Sequence, residues 1–364
     1  MGKTSQLDSS VAARFLLGFE GNSLTGEMGA LLEQGLAGVA IFPRNFSSLE
    51  GLRSLTAEIR RVAKRPVLVG MDAEPGGPFS LSEPFTQWPA AAELGALDDA
   101  ALVEQLAQAI GTELRAVGVN LNFAPMLDLH VHPGSPVTSE RSFGSRPHQV
   151  AQLGSAFLAG LSNQGVLACA KHFPGHGDAQ VDPHEELPVF QGAAARLDGM
   201  ELVPFAAVVA AGVPAIMTAH ILLPQIDPRW PATLSRKMLT ETLRERMGFR
   251  GVILADDLGM GAIRKRYGIG EAAIASIKAG SDIVMICHDA SAVEPALQVV
   301  KGERAAGLFA ESEWQASAER IRWVQGAAEE ITKAGSASLD VVGCAAHRAL
   351  AAEIRSRIAR ALGK

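Results

Sequence analysis

Residues 148–184 read HQVAQLGSAFLAGLSNQGVLACAKHFPGHGDAQVDPH. Three kinds of sequence follow one another in it. From 148 to 164 apolar residues return at helical spacing. Gly165 stands where a helix commonly ends in a left-handed residue, and residues 166–170 form a short apolar run with buried-strand character. From Lys171 to His184 the chain turns polar, with three histidines, two aspartates and a lysine interrupted by glycine and proline. Such a run is poor at building a core and well suited to building a site. It opens three readings: a metal ligand set, acid/base machinery, or a histidine-rich surface loop.

The same order of helix, strand and polar strand end recurs along the chain. Apolar runs at 15–19, 38–42, 66–71, 119–123, 166–170, 215–218, 251–255 and 282–286 read as eight strands. Helical patterns at 25–34, 48–63, 101–116, 148–164, 196–211, 235–247, 270–279 and 290–301 separate or follow them. Thr25, Ser48 and Ser235 are placed as helix N-caps, and Gly212 and Gly280, like Gly165, sit between a helix and the next strand. Eight β/α units in this length predict a (β/α)8 TIM barrel. An open doubly wound sheet would carry a Gly-rich phosphate loop after its first strand, and EGNSLTGE after Phe19 is not one. Residues 1–304 are therefore expected to form one catalytic barrel. Residues 305–364, rich in Ala, Glu and Arg, are expected to form a helical extension packed on it.

Composition narrows the function. A formal charge of −6 over 364 residues, with no basic run, argues against a nucleic-acid or anionic-membrane surface. No apolar segment is long enough for a membrane span, and the N-terminus has no signal-peptide core, so a cytoplasmic protein is expected. Met1-Gly2 lacks the supporting basic residues of a lipidation signal. Cys169, Cys287 and Cys344 form no spaced metal motif and read as reduced thiols, the first two in strands.

In such barrels chemistry gathers where the strands end. Asp72 and Glu74 follow the third strand; Asp128, Glu140 and Arg141 the fourth; Lys171 to His184 the fifth; and His220 the sixth. Asp256 and Asp257 end the seventh, and His288 and Asp289 the eighth. One shared site is the simplest account. A metal site is disfavoured: Pro174 and Gly175 break the helix that would align His172 with His176, and His130-Val-His132 follows the wrong strand for a barrel metallohydrolase. Asp256, ending the apolar run of ILADDLGM, suits a nucleophilic carboxylate of a two-step glycosidase. The proton donor such chemistry needs has a candidate in Asp182-Pro-His184, because a carboxylate beside imidazole orients it and raises its basicity. A plain loop turn remains the alternative for that pair.

KHFPGHG followed by four residues and D-x-H resembles the NagZ-type bacterial β-N-acetylglucosaminidases of glycoside hydrolase family 3. GVAIFPRN at 38–45, LNFAPMLDL at 121–129, SERSFG at 139–144, MTAHILLP at 217–224, PATLS at 231–235 and GVILADDLGM at 251–260 follow in that family's order. The resemblance spans about residues 12–300. It implies a cofactor-free, cytosolic, retaining exo-hydrolase that removes β-linked N-acetylglucosamine from muropeptides during peptidoglycan recycling. By position it implies Asp256 as nucleophile, His184 as acid/base with Asp182 as its partner, and Asp72, Arg141, Lys171 and His172 on the sugar hydroxyls. His176 and Asp257 are read as supporting residues.

One motif departs from the family. Its DQEGGR is here Asp72-Ala-Glu-Pro-Gly-Gly77, so that a proline replaces a glycine and Gly77 replaces an arginine. The second α/β domain of larger members has no counterpart in this sequence, which favours a donor within the barrel. Partners are expected to be a small carbohydrate alone, with the protein a monomer or weak homodimer. The alternatives are a β-glycoside phosphorylase, since a histidine donor does not repel phosphate, a family glycosidase for another sugar, or a non-catalytic sugar-binding barrel.

Overall fold

The computed structural model describes residues 9–76 and 81–363. Eight parallel strands close a barrel in which neighbours in the sequence are neighbours in space: β1 (Phe15–Leu17), β2 (Gly38–Ile41), β3 (Leu68–Met71), β4 (Leu121–Asn122), β5 (Leu167–Phe173), β6 (Ala215–Thr218), β9 (Val252–Asp257) and β10 (Ile283–Ile286). All eight expected strands are present, as a (β/α)8 barrel requires. The two intervening strands, β7 (Leu222–Leu223) and β8 (Asp227–Pro231), form a small antiparallel hairpin in the loop after β6. That hairpin was not expected, because Pro228 and Pro231 disguise it as an irregular turn. The helical pattern at 196–211 is two helices, Ala194–Gly199 and Leu202–Ala210. Thr25 and Ser48 cap their helices through Met28 and Gly51 N–H. Gly165 and Gly212 take φ of +71° and +80°, the left-handed turns that return the chain from helix to strand.

Side chains alternate along each strand. Leu16, Leu68, Leu121, Cys169, Val252 and Ile283 belong to the cluster inside the barrel, whereas Leu17, Val69, Ala168, Ile253 and Val284 pack outward under the helices. The inner cluster includes Ile321, Val324 and Ala328 of the helix Glu311–Lys333, and Gln325 donates to the Ala37 carbonyl at the start of β2. That helix therefore lies across the N-terminal end of the barrel. It is anchored by Asp282, a buried carboxylate at the start of β10 that Ser317, Arg320 and Arg244 all reach. With this end covered, the barrel opens where the strands end, and that is where polar residues face inward.

Candidate active site

Strand alternation decides what the open end contains. On β9 Val252 and Leu254 point inward, so Asp256, two residues on, does too; on β5 Cys169 points inward and Lys171 follows with the same parity. Asp72 continues the parity of Leu68 and Gly70, and Gly70 is small because the Phe123 ring occupies the space beside it. Above this apolar floor lies a cavity of about 300 Å³. All seven residues singled out from the sequence line it: three acids, Asp72, Asp182 and Asp256, two bases, Arg141 and Lys171, and two imidazoles, His172 and His184.

One wall is a buried charge cluster. Glu74 receives Nε and a terminal nitrogen of Arg141, each at 2.9 Å, and Lys171 Nζ at 2.6 Å. Lys171 also donates to Asp72 Oδ1 at 2.5 Å. Burial alone would raise the Glu74 carboxyl, but Arg141 and Lys171 outweigh it and hold the group well below the carboxylate range. Burial opposes charge on Lys171 as well, yet Asp72 and Glu74 raise its pKa, so it stays ammonium. Sequence reading placed Glu74 at the site without a role; it is the anchor for both bases. Gly77, where the family's arginine is missing, lies with Pro78 and Phe79 outside the described residues.

The second cluster centres on Asp128, which is fully buried. Its Oδ2 meets His172 Nδ1 at 2.7 Å and His176 Nδ1 at 3.2 Å, while Oδ1 accepts from the His176 amide at 3.0 Å. Burial acts against the Asp128 charge, but the two histidines lower its pKa far below normal. An ionised Asp128 can only accept, so both Nδ1 atoms carry the proton and each Nε2 is left free to accept. Burial pushes the His172 pKa down despite Asp128, which keeps that ring neutral. His172 can then accept a hydrogen bond at Nε2. These three residues bring potential metal ligand atoms within 4.8 Å of one another. Their shared atom, Asp128 Oδ2, is already committed to two N–H donors, so they form a closed hydrogen-bonded unit.

Asp256 sits half-buried at the end of β9, its Oδ1 accepting from the Asp257 amide at 2.8 Å. Burial would raise its pKa, but His220, His172, that amide and Lys171 together lower it, so it is ionised. Asp257 accepts from the Cys287 amide at 3.1 Å and meets His288 Nδ1 at 2.8 Å, tying β9 to β10. His220 spends both nitrogens on Thr233 and the Asp257 carbonyl and braces the strand end from behind. His130 and His132 bond Thr138 and the Gly134 amide within their own loop.

Asp182 and His184 lie at the rim. Asp182 Oδ1 accepts from both the backbone N–H and Nδ1 of His184, each at 2.8 Å. Burial opposes the Asp182 charge and the His184 contacts more than offset it, lowering its pKa. The imidazole therefore holds its Nδ1 proton against Asp182 and offers Nε2 for proton transfer. Its side chain is 56% exposed, open to a leaving group entering from solvent.

The sequence profile of the Glycosyl hydrolase family 3 N terminal domain matches residues 3–324. A beta-hexosaminidase of Xylella fastidiosa (strain M23) is 38% identical over 296 residues, covering 79% of this chain and 87% of that protein. Among solved structures, a glycoside hydrolase family 3 beta-N-acetylglucosaminidase from Paenibacillus sp. str. FPU-7 superposes with a TM-score of 0.92 at 34% identity, over 97% of this chain and 69% of that one. NagZ from Neisseria gonorrhoeae, solved with N-trifluoroacetyl-D-glucosamine, gives 0.76 at 31% identity, over 95% and 98%.

Proposed function

Because the chain belongs to glycosyl hydrolase family 3, we propose that it is a retaining exo-β-N-acetylglucosaminidase. It cleaves non-reducing terminal N-acetylglucosamine, with muropeptides of peptidoglycan recycling as the source and the cytoplasm as the place. It acts without a cofactor, as a monomer or weak homodimer. The observation that carries this reading is the shared cavity, which holds an inward, ionised Asp256, a rim-mounted Asp182–His184 pair and a wall of hydroxyl-binding groups. A sugar needs many directional hydrogen bonds, and Asp72, Arg141, Lys171 and the His172 Nε2 supply both donors and acceptors.

The reaction has two steps. Asp256 attacks the anomeric carbon while His184, protonated at Nε2, gives that proton to the departing oxygen. Neutral His184 then takes a proton from water, which attacks the same carbon and releases the sugar with its configuration retained. Asp182 stabilises the imidazolium present before the first step and restored by the second. Replacing His184 by Ala is expected to cost about 10²–10⁴ in kcat/KM on a β-linked disaccharide of N-acetylglucosamine. A 2,4-dinitrophenyl glycoside, whose leaving group needs no proton, should lose less than about tenfold. Equal losses on both substrates would remove His184 from the role of acid.

A further inference from the structure

The segment that bears the proton donor is tethered to the strand that bears the nucleophile. The His184 carbonyl accepts from the Gly261 amide at 3.0 Å, and the Pro183 carbonyl from the Ala262 amide at 3.0 Å. Asp182 closes the turn, its carbonyl accepting from the amides of Glu185 at 2.9 Å and Glu186 at 3.0 Å. Gly261 and Ala262 directly follow the loop that leaves β9 after Asp256 and Asp257.

The approach is close enough to demand glycine. A Cβ at position 261 would lie 2.4 Å from the Glu185 carbonyl oxygen and 2.5 Å from that of His184. These are backbone atoms, which cannot yield without moving the segment. Gly261 does not use a left-handed conformation, so its backbone shape does not explain the absent side chain; the approach of the donor segment does. By contrast, a Cβ at Gly268, seven residues on, would meet nothing within 4 Å.

We propose that Gly261 is a positioning residue for the proton donor, setting the distance of His184 from the bond to be cleaved through two backbone hydrogen bonds. The proposal rests on the reading of His184 as acid/base. It makes the loop after β9 responsible for both reacting groups: Asp256 by covalent connection and His184 by the tether. Binding of the sugar, through Asp72, Arg141, Lys171 and His172, does not depend on it.

The test is kcat/KM of Gly261→Ala on two substrates, the β-linked N-acetylglucosamine disaccharide and the 2,4-dinitrophenyl glycoside, with the Kd of free N-acetylglucosamine measured alongside. We expect a fall of about 10²-fold on the disaccharide, as for partial loss of a general acid. The dinitrophenyl substrate should change less than about threefold and the Kd should stay the same. Gly268→Ala should change nothing. Ala262→Pro, which deletes the second amide at a first-turn position where proline is tolerated, should repeat the pattern and carries the test if Gly261→Ala melts early. Equal losses on both substrates, or none on either, would overturn the proposal. A wild-type protein that cleaves neither substrate would instead overturn the proposed function.

Discussion

Asp256→Asn is expected to lower kcat/KM by about 10⁴-fold or more on every β-N-acetylglucosaminide, good and poor leaving groups alike, because it removes the group we propose forms the covalent intermediate. The amide is the same size, and its oxygen can still accept from the Asp257 N–H that now holds Oδ1. The fold should therefore survive, and the melting temperature should move little. The ionised carboxylate is maintained against burial by His220, His172 and Lys171, so the loss is of charge at a place built for it. The contrast with His184→Ala is diagnostic: an acid variant sorts substrates by leaving group, and a nucleophile variant does not. Asp257→Asn should behave differently again, since the Asp257 carboxylate is already engaged by the Cys287 amide and His288 Nδ1.

Glu74→Gln is expected to damage stability and activity together. Glu74 is the shared acceptor of Arg141 and Lys171, and all three side chains are at most 9% exposed. Breaking a buried pair from one side typically costs about 3–5 kcal/mol, because the remaining charge has no solvent to return to. With an unfolding entropy near 2.1 cal/mol/K per residue, that is a drop of about 4–7 °C in a chain of this length. Misplacing two cations that we propose hold the sugar should also cost about 10²-fold in kcat/KM. The effect has a pH signature. A carboxyl whose folded pKa is lowered contributes stability that is present above its unfolded value, near 4.3 for Glu. That stability is lost as pH falls through the folded value. Glu74, with Asp128 and Asp282, belongs to this class. The wild-type melting temperature should fall as pH drops below about 4.3, and Glu74→Gln should start lower and fall less steeply. Melting curves taken from about pH 7 down to about pH 3, crossing the unfolded carboxylate values near 4, check this, and parallel curves for the two proteins would contradict it.

The fold was legible because each β/α unit writes its period into a few neighbouring residues: the run VLACA supplies the first four residues of β5, which continues to Phe173, and the glycines before the strands take left-handed turns. The cavity was legible for the same reason, since inward residues at strand ends follow from parity once the strands are known. What sequence could not show is contact over distance. Asp128 clamps histidines 44 and 48 positions away, and Glu74 anchors Arg141 across 67. Helix Glu311–Lys333 looks in sequence like any amphipathic helix, and only the barrel reveals that Ile321, Val324 and Ala328 cover its end. The role of Glu74 was hidden further by the altered motif around it, which draws the eye to what is missing. A signal for the tether was present in the glycine after Met260, but an isolated glycine near a helix start has many ordinary explanations.

The central claim is that Asp256 and His184 act in succession on one anomeric carbon of a 2-acetamido sugar. It is tested most directly by proton NMR of the sugar first released from a β-N-acetylglucosaminide, before mutarotation. Two displacements predict N-acetylglucosamine appearing first as the β-anomer, with the matching β-glucoside lacking the acetamido group cleaved far more slowly. First appearance of the α-anomer would mean a single displacement by water and would contradict the account.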